Sequence, residues 1–401
     1  MFLKSFKYRL YPDEEQKVFL EKHFGCCRFV YNHFLALRSN TYKVEKKDIS
    51  GFECKKLLVP LKKEHPWLRE VNSQSLQQSV LNLEVAFQRF FKGLGRYPCF
   101  KKKKEKQSFS IPQNFRIESN KLFIPKLKSG IKIKLHRSLE GTLKTLTISR
   151  ELTGKYYASV VCEVKIQPLP RVEREVGIDL GLTHFATLST EEKIEHPKPL
   201  LKLERKLKTL QRWLSRKKKG SRNREKMRLR VAKLHERIKN QRADFLHKLS
   251  KRLISENQAI YLEDLHVKGM IRNKILSKAI SDSGWGEFIR QLQYKALWYG
   301  RTLRQIPRFY PSSKACSICH FVIPELKLSQ RVWTCPNCKT VHDRDINASV
   351  VIKQVGRDTS ELTPAERLTS TSLALSMRQV ASMKQETQAS LILRCMGSLT
   401  P

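Results

Sequence analysis

The most constraining feature of this chain is a 32-residue stretch from Cys316 to Asn347, which reads CSICHFVIPELKLSQRVWTCPNCKTVHDRDIN. It holds two CxxC pairs separated by fifteen residues, and an acidic HDRDIN motif follows at once. Two thiolate pairs at this spacing can close a tetrahedron around one Zn²⁺ and leave no open coordination position. We therefore predict a structural zinc site and expect any chemistry here to belong to the neighbouring carboxylates. The predicted zinc ligands are Cys316, Cys319, Cys335 and Cys338.

The residues that directly follow the two cysteine pairs are His320 and Lys339. Zinc knuckles favour glycine at these positions because the backbone turns there through positive φ. A side chain in that conformation costs about 1 kcal/mol, which weakens the predicted site without refuting it. His320 is also an alternative zinc ligand. The other six cysteines are scattered and are expected to be reduced thiols.

The charge of the chain limits the class of its partner. Its 401 residues include 79 Lys and Arg against 37 Asp and Glu, which gives a formal net charge of +42. Such a field implies a polyanionic partner, usually nucleic acid, with an anionic membrane surface as the weaker alternative. The sequence has neither an apolar run of about 18 residues nor the apolar segment of a signal peptide. We expect a cytoplasmic, nucleoid-associated protein with no membrane partner.

The apolar pattern of the N-terminal part predicts a strand, two helices and a set of short strands. The chain opens with an alternating strand pattern that ends at Pro12, and Asp13 with Gln16 then forms the signature of a capping box. A second helix is predicted from Asn72. Short alternating runs predict strands between residues 111 and 166.

The C-terminal part has a different pattern. Leucine spacing over residues 200 to 257 predicts a strongly basic helical stretch, which the break around Gly220 makes a hairpin rather than a long coiled coil. Its basic face fits nucleic acid better than plain solvation, given the total charge. Residues 356 to 401 are rich in Ser and Thr, and we predict a disordered tail there.

Three acidic residues stand out because apolar segments adjoin them. Asp179 lies within GIDLG, Glu263 ends AIYLE, and Asp345 opens a segment with a helical pattern. Each alone has an ordinary explanation, since strand-end acids form turns and Asp345 could be an N-cap. Together they predict one crevice, because an alternating βα sheet brings strand-end carboxylates to one edge. Clustered carboxylates repel one another unless a hard cation lies among them, so we predict two Mg²⁺ ions suited to phosphodiester chemistry.

Two further basic features have open interpretations. A lysine run beside aromatic residues fits backbone contacts and base stacking in nucleic acid, and a solvated loop is the alternative. The run consists of Lys101, Lys102, Lys103 and Lys104. Arg344 stands between two acids, where it either touches a phosphate or balances their charge.

The motifs GIDLG, YLEDL and CSIC…CPNC–HDRDINAS occur in one order and together resemble the TnpB family, the OrfB proteins of bacterial insertion sequences. That family is similar to the type V CRISPR nucleases. The resemblance covers nearly all of residues 1 to 355, including KYRLYPDEEQ and GWGEFIRQLQYKA. Small departures are His320 and Lys339 in place of glycines, and Cys99 where a basic residue is common.

The resemblance implies a fold class. It is an α/β RNase H-like (RuvC) nuclease domain with an inserted zinc ribbon, plus an N-terminal β-barrel (wedge) domain interrupted by a helical recognition domain. The implied boundaries are residues 1–12 and 110–170 for the wedge, 13–109 for the recognition domain, 171–355 for the nuclease domain with its hairpin at 200–257 and zinc ribbon at 312–341, and 356–401 for the tail.

The resemblance also implies an activity, an RNA-guided DNA endonuclease of a transposable element. Asp179, Glu263 and Asp345 would be its catalytic residues and would hold two Mg²⁺ ions. A guide RNA from the element's end would select double-stranded target DNA by base pairing, while the protein reads a short flanking motif. Gln74 and Gln78 are candidates for reading that motif through adenine edges, with ordinary solvent exposure as the alternative.

Two other classes of protein remain open. A DDE-like transposase that transfers strands also uses three carboxylates with Mg²⁺, but a zinc ribbon between the second and third acids argues against it. A non-cleaving RNA-guided regulator would need only structural acids, and some members of the family have lost a carboxylate. All three acids are present in this chain. The oligomeric state is left open.

Overall fold

The computed structural model describes residues 1–327 and 329–358, and the chain divides into two compact units. The first unit is Met1–Lys165, and the second begins at Ile166. The predicted disordered tail lies almost wholly outside the described residues, although its first three residues end a helix. None of the described helices is long and apolar enough to cross a membrane.

The first unit contains one strand followed by a helical segment. Its elements are β1 (Phe2–Tyr11), α1 (Glu14–Glu45), α2 (Gly51–Glu64), a 3-10 helix (Pro66–Glu70) and α3 (Ser73–Phe91). The predicted capping box is present, since Asp13 Oδ1 accepts from Gln16 N at 2.8 Å and Gln16 Oε1 accepts from Asp13 N at 3.2 Å. Helix α3 begins next to Asn72 as predicted, and the Asn72 side chain accepts from Gln74 N.

A seven-stranded antiparallel sheet completes the first unit. Its other strands are β2 (Gln107–Ile111), β3 (Arg116–Glu118), β4 (Lys121–Phe123), β5 (Ile131–Lys134), β6 (Thr142–Arg150) and β7 (Tyr156–Val164). Their order is β2-β6-β7-β1-β5-β4-β3. The buried side chains Phe6, Tyr8 and Leu10 alternate along β1 with more exposed ones, so one face of this strand packs inward. β2 begins three residues before the predicted wedge boundary at 110.

The second unit is built on a five-stranded sheet. Its strands are β8 (Glu175–Asp179), β9 (His184–Leu188), β10 (Lys193–Glu195), β11 (Ala259–Glu263) and β12 (Thr302–Ile306). The order is β10-β9-β8-β11-β12. β8, β11 and β12 run parallel, while β9 and β10 form an antiparallel extension at one edge.

The second unit also contains the helices α4 (Pro199–Ser215), α5 (Arg222–Glu256), α6 (Val267–Met270), α7 (Ser277–Ser283), α8 (Trp285–Tyr299) and α9 (Arg344–Asp358). Helices α5 and α8 cover one face of the sheet, and α9 covers the other. Ile260 and Leu262 of β11 pack with residues of α5 and α8, whereas Tyr261 packs with Ile352 of α9. A strand covered on both faces needs no polar alternation, which explains the continuous apolar run of β11. The predicted basic hairpin is confirmed as α4 and α5, which share an apolar cluster.

Glycine lets α9 lie very close to the sheet. A Cβ added at Gly177 of β8 would lie 2.1 Å from the carbonyl oxygen of Ser349, and one added at Gly356 would lie 2.3 Å from the ring of Tyr261. No side chain fits in either gap. The short strands β13 (Val332–Thr334) and β14 (Val341–Asp343) precede α9 and form a separate hairpin.

Candidate active site

Two of the three predicted carboxylates lie side by side at the carboxyl edge of the second unit's sheet. β8 ends at Asp179 and β11 ends at Glu263. The strands pair in parallel with Ile178 opposite Leu262, so the next residues on each strand are neighbours at the same edge. Both acids are half-buried.

The third carboxylate, Asp345, lies in the first turn of α9, which packs against β8. Asp343 Oδ1 accepts hydrogen bonds from the backbone N–H groups of Asp345 at 3.0 Å and Ile346 at 3.1 Å. Asp343 therefore caps the helix, and the alternative that Asp345 is the N-cap is wrong. Asp343 Oδ2 also accepts from Lys193 Nζ at 2.7 Å, which ties the start of α9 to β10.

The negative charges of Glu263 and Asp345 both act on Asp179. Burial, together with these two charges, raises the pKa of Asp179 to about 7. Burial also raises the pKa of Glu263, while a hydrogen bond from Ser312 lowers it. Within the described part of the chain, no hydrogen-bond donor reaches the Asp179 carboxyl group. A desolvated carboxylate between two others, without a donor, is a group that a cation would stabilise.

Two arginines partly offset this repulsion. Arg331 Nη1 donates to Asp345 Oδ1 at 3.2 Å, and the backbone N–H of Arg344 donates to the Arg331 carbonyl at 2.8 Å. The positive charges of both residues lower the pKa of Asp179. Arg344 thus lies beside the acids, as its position between them suggested, and its guanidinium donates to the Lys327 carbonyl at 3.0 Å.

The four predicted zinc ligands form one cluster. Their Sγ atoms all lie within 4.8 Å of one another, and the pairs Cys316–Cys338 and Cys319–Cys335 are each separated by 3.6 Å. A tetrahedron with Zn–S bonds of about 2.3 Å has sulfur atoms roughly 3.8 Å apart, so the cluster has the dimensions of a Zn²⁺ site. Trp333 and Leu326 pack against it.

The turns after the cysteine pairs adopt the predicted conformation. His320 has φ of 62° and Lys339 has φ of 60°, so two ordinary residues occupy a region that favours glycine. The His320 side chain is exposed and does not belong to the metal-ligating cluster, so the structure does not support it as an alternative ligand. A different histidine, His342, is buried with Nε2 3.1 Å from Cys316 Sγ.

Apart from Arg344 and the basic hairpin, the predicted nucleic-acid-binding residues lie in the first unit. Gln74 and Gln78 are half-buried on α3 rather than solvated, and Gln78 Nε2 donates to Asn82 Oδ1 at 3.4 Å. Lys101 Nζ lies 3.9 Å from the centre of the Tyr31 ring. All four lysines of the run are exposed, namely Lys101, Lys102, Lys103 and Lys104. The structure therefore leaves the run accessible to a partner.

Two buried residues beside the carboxylates had no clear signal in the sequence. The Ser312 hydroxyl donates to Glu263 Oε1, and Ser312 is only 5% exposed. Asn347, at 3% exposure, bonds to the backbone on both sides of Cys316. Their proximity to the CxxC and HDRDIN motifs was the only available hint.

Three family profiles match parts of the chain. One described as "Probable transposase" matches residues 159–274, and one described as "Cas12f1-like, TNB domain" matches residues 285–352. A third, described as "Helix-turn-helix domain", matches residues 1–47. In the structure these last residues form β1 and the single helix α1 rather than two helices joined by a turn.

Curated relatives match over most of their length. A Streptomyces pristinaespiralis protein named "Putative RNA-guided DNA endonuclease" is 42% identical, over 88% of this chain and 89% of its own. InsQ of Escherichia coli K12, with the same printed description, is 33% identical over 88% of this chain and 92% of its own. The "TnpB-like protein L79" of Acanthamoeba polyphaga mimivirus is 24% identical over 89% of this chain and 74% of its own. This chain belongs to the TnpB (OrfB) family.

Proposed function

We propose that this protein is an RNA-guided DNA endonuclease that hydrolyses phosphodiester bonds at a RuvC-like centre. The observation that carries the proposal is the convergence of Asp179, Glu263 and Asp345, in which the described residues offer Asp179 no hydrogen-bond donor. The names of relatives at 42% and 33% identity support the same activity.

The donor set of this centre fits magnesium. Carboxylate oxygens are the ligands that Mg²⁺ prefers, and the negative charges of both other acids act on Asp179. Asp179, Glu263 and Asp345 would hold two such ions. Such ions polarise the scissile phosphate and stabilise both the attacking and the leaving oxygen.

The protein's own groups prepare the centre for a cation. Ser312 donates to Glu263 and favours its ionised form. Arg331 contacts one oxygen of Asp345 and leaves the other for a cation. The four-cysteine cluster would hold Zn²⁺ with no open position, so that metal would stabilise the fold and take no part in the reaction.

The two units would divide the recognition of nucleic acid and the cleavage of DNA. The first unit would comprise the wedge and recognition domains, in which Gln74 and Gln78 read the flanking motif and the exposed lysines of the run contact the backbone. The second unit would be the RNase H-like nuclease domain, an assignment that its three parallel strands and antiparallel extension support. A guide RNA would supply sequence selection, and the +42 charge would favour association with RNA, target DNA and the nucleoid.

The test begins with expression of the protein together with the DNA downstream of its gene. RNA that copurifies is sequenced, and the complex is incubated with Mg²⁺ and a duplex that matches the RNA. We expect a discrete RNA and guide-dependent cutting. If no discrete RNA copurifies and cutting needs none, the proposal is wrong.

Asp345→Ala separates the three classes of protein left open by the sequence. We expect it to abolish cutting and to leave RNA and DNA binding intact, because it removes a cation ligand at the end of a helix. Asp244→Ala is the matched control, since Asp244 is an exposed acid of α5 in the same unit. A non-cleaving regulator would show no cutting even in the unaltered protein. A DDE-like transposase would instead give joined products in a strand-transfer assay.

A further inference from the structure

The segment from residue 312 to residue 317, here termed the brace, leads into the zinc cluster and touches the elements that carry two of the acids. At one end, the Ser312 hydroxyl donates to Glu263 Oε1. Within the described residues no other side chain donates to the Glu263 carboxylate. Its orientation therefore depends on a serine that is buried and lies four residues before the first zinc ligand.

The other end of the brace is held by Asn347, two residues after Asp345 in α9. Asn347 Oδ1 accepts from the backbone N–H of Ser317 at 2.9 Å, and its Nδ2 donates to the carbonyl of Ala315 at 2.7 Å. These two backbone groups flank Cys316. Only an amide side chain offers a donor and an acceptor in this geometry, so neither Asp nor Leu would replace it.

The middle of the brace is fixed by the cluster itself. Cys316 is fully buried, its backbone N–H donates to the Phe321 carbonyl at 2.9 Å, and its Sγ belongs to the four-cysteine cluster. Gln354 of α9 adds a further bond, from Nε2 to the Ser317 carbonyl at 2.9 Å. A movement of Cys316 would therefore be transmitted to Ser312 on one side and to α9 on the other.

We infer that the brace sets the position of Glu263 relative to Asp345, and that Ser312 and Asn347 are positioning residues of the cation-binding centre. This inference rests on the proposed function, since it concerns the cation that the three acids would hold. Buried serine and asparagine side chains often do no more than satisfy a loop. If the brace positions the centre, loss of either side chain must weaken cation binding while the zinc cluster stays intact.

The experiment measures cation affinity directly, without nucleic acid and without turnover. Mn²⁺, which carboxylate sites accept in place of Mg²⁺, is titrated into the zinc-loaded full chain, and free Mn²⁺ is read by electron paramagnetic resonance. The variants are Ser312→Ala and Asn347→Ala. The matched control is Ser313→Ala, because the hydroxyl of Ser313 makes no hydrogen bond within the described residues. Zinc content is measured by elemental analysis.

We expect Ser312→Ala and Asn347→Ala to bind Mn²⁺ about 10- to 100-fold more weakly, the usual cost of losing a partner behind a metal ligand, with full zinc content. Ser313→Ala should stay within about twofold of the unaltered protein. If Asn347→Ala does not fold, Ser312→Ala decides alone, since it removes a single hydroxyl group. Mn²⁺ affinity within twofold of the unaltered protein in Ser312→Ala overturns the inference.

Asp179→Asn distinguishes this failure from failure of the proposed function. If Asp179→Asn loses Mn²⁺ binding and DNA cutting while Ser312→Ala keeps both, the nuclease centre stands and the brace does not position it. If Asp179→Asn cuts DNA normally, the centre itself is wrong, and the inference is overturned with it.

Discussion

Replacing Asp179 by asparagine should stabilise the cation-free protein, and the gain should grow with pH. The folded state raises the pKa of this carboxyl from 3.8 to about 7, so its ionisation opposes folding. The cost is absent below the unfolded pKa, increases as the pH rises towards 7, and is complete above it. Three pH units correspond to about 4 kcal/mol, or roughly 10 °C in the melting temperature of a domain of this size.

The assay is thermal unfolding of zinc-loaded protein without added divalent cations, at intervals from pH 5 to pH 8.5. The melting temperature of Asp179→Asn should exceed that of the unaltered protein by a margin that widens up to about pH 7 and is then constant. Added Mg²⁺ should narrow the margin at pH 8, because it stabilises only the protein with all three acids. Asp244→Asn, at an exposed position, should show no such trend. A margin that does not change between pH 5 and pH 8 would refute the reasoning.

Three further outcomes follow from the structure. His320→Gly and Lys339→Gly should each stabilise the zinc module by up to about 1 kcal/mol, seen as slower zinc loss to a chelator, because both positions have positive φ. Gly177→Ala should destabilise the protein by about 1–3 kcal/mol or more in chemical denaturation, whereas Gly25→Ala, which meets no neighbour within 4 Å in α1, should be neutral or stabilising. Removal of zinc should change the fluorescence of Trp333, which is buried against the cysteine cluster, and renewed zinc should restore it.

Local chemistry made several elements predictable. The capping box of Asp13 and Gln16 is a short-range hydrogen-bond pattern, and it is confirmed, as is the start of α3 at Asn72. The positive φ after each cysteine pair follows from knuckle geometry, so it too could be read from spacing. Asp179 and Glu263 meet because each ends a parallel strand. This proximity does not depend on the conformation of the segments that connect the two strands.

The remainder depends on contacts between residues distant in sequence. Helix α2 carries Pro60 in its interior and many lysines, so its apolar spacing gives no clear signal, and it was not predicted. Asp345 looked capable of capping α9, and only the fold shows that Asp343 accepts from the helix N–H groups instead. The bond from Ser312 to Glu263 spans 49 residues, and no local pattern indicates it.

Because α9 packs closely on Gly177, the three acids can come together only late in synthesis. Asp179 and Glu263 leave the ribosome well before Asp345, and domains fold in the order in which they are synthesised. A nascent chain that already carries the first two acids and the parallel strands still lacks the helix that brings the third. The three acids therefore come together only when nearly all of the described chain has been translated.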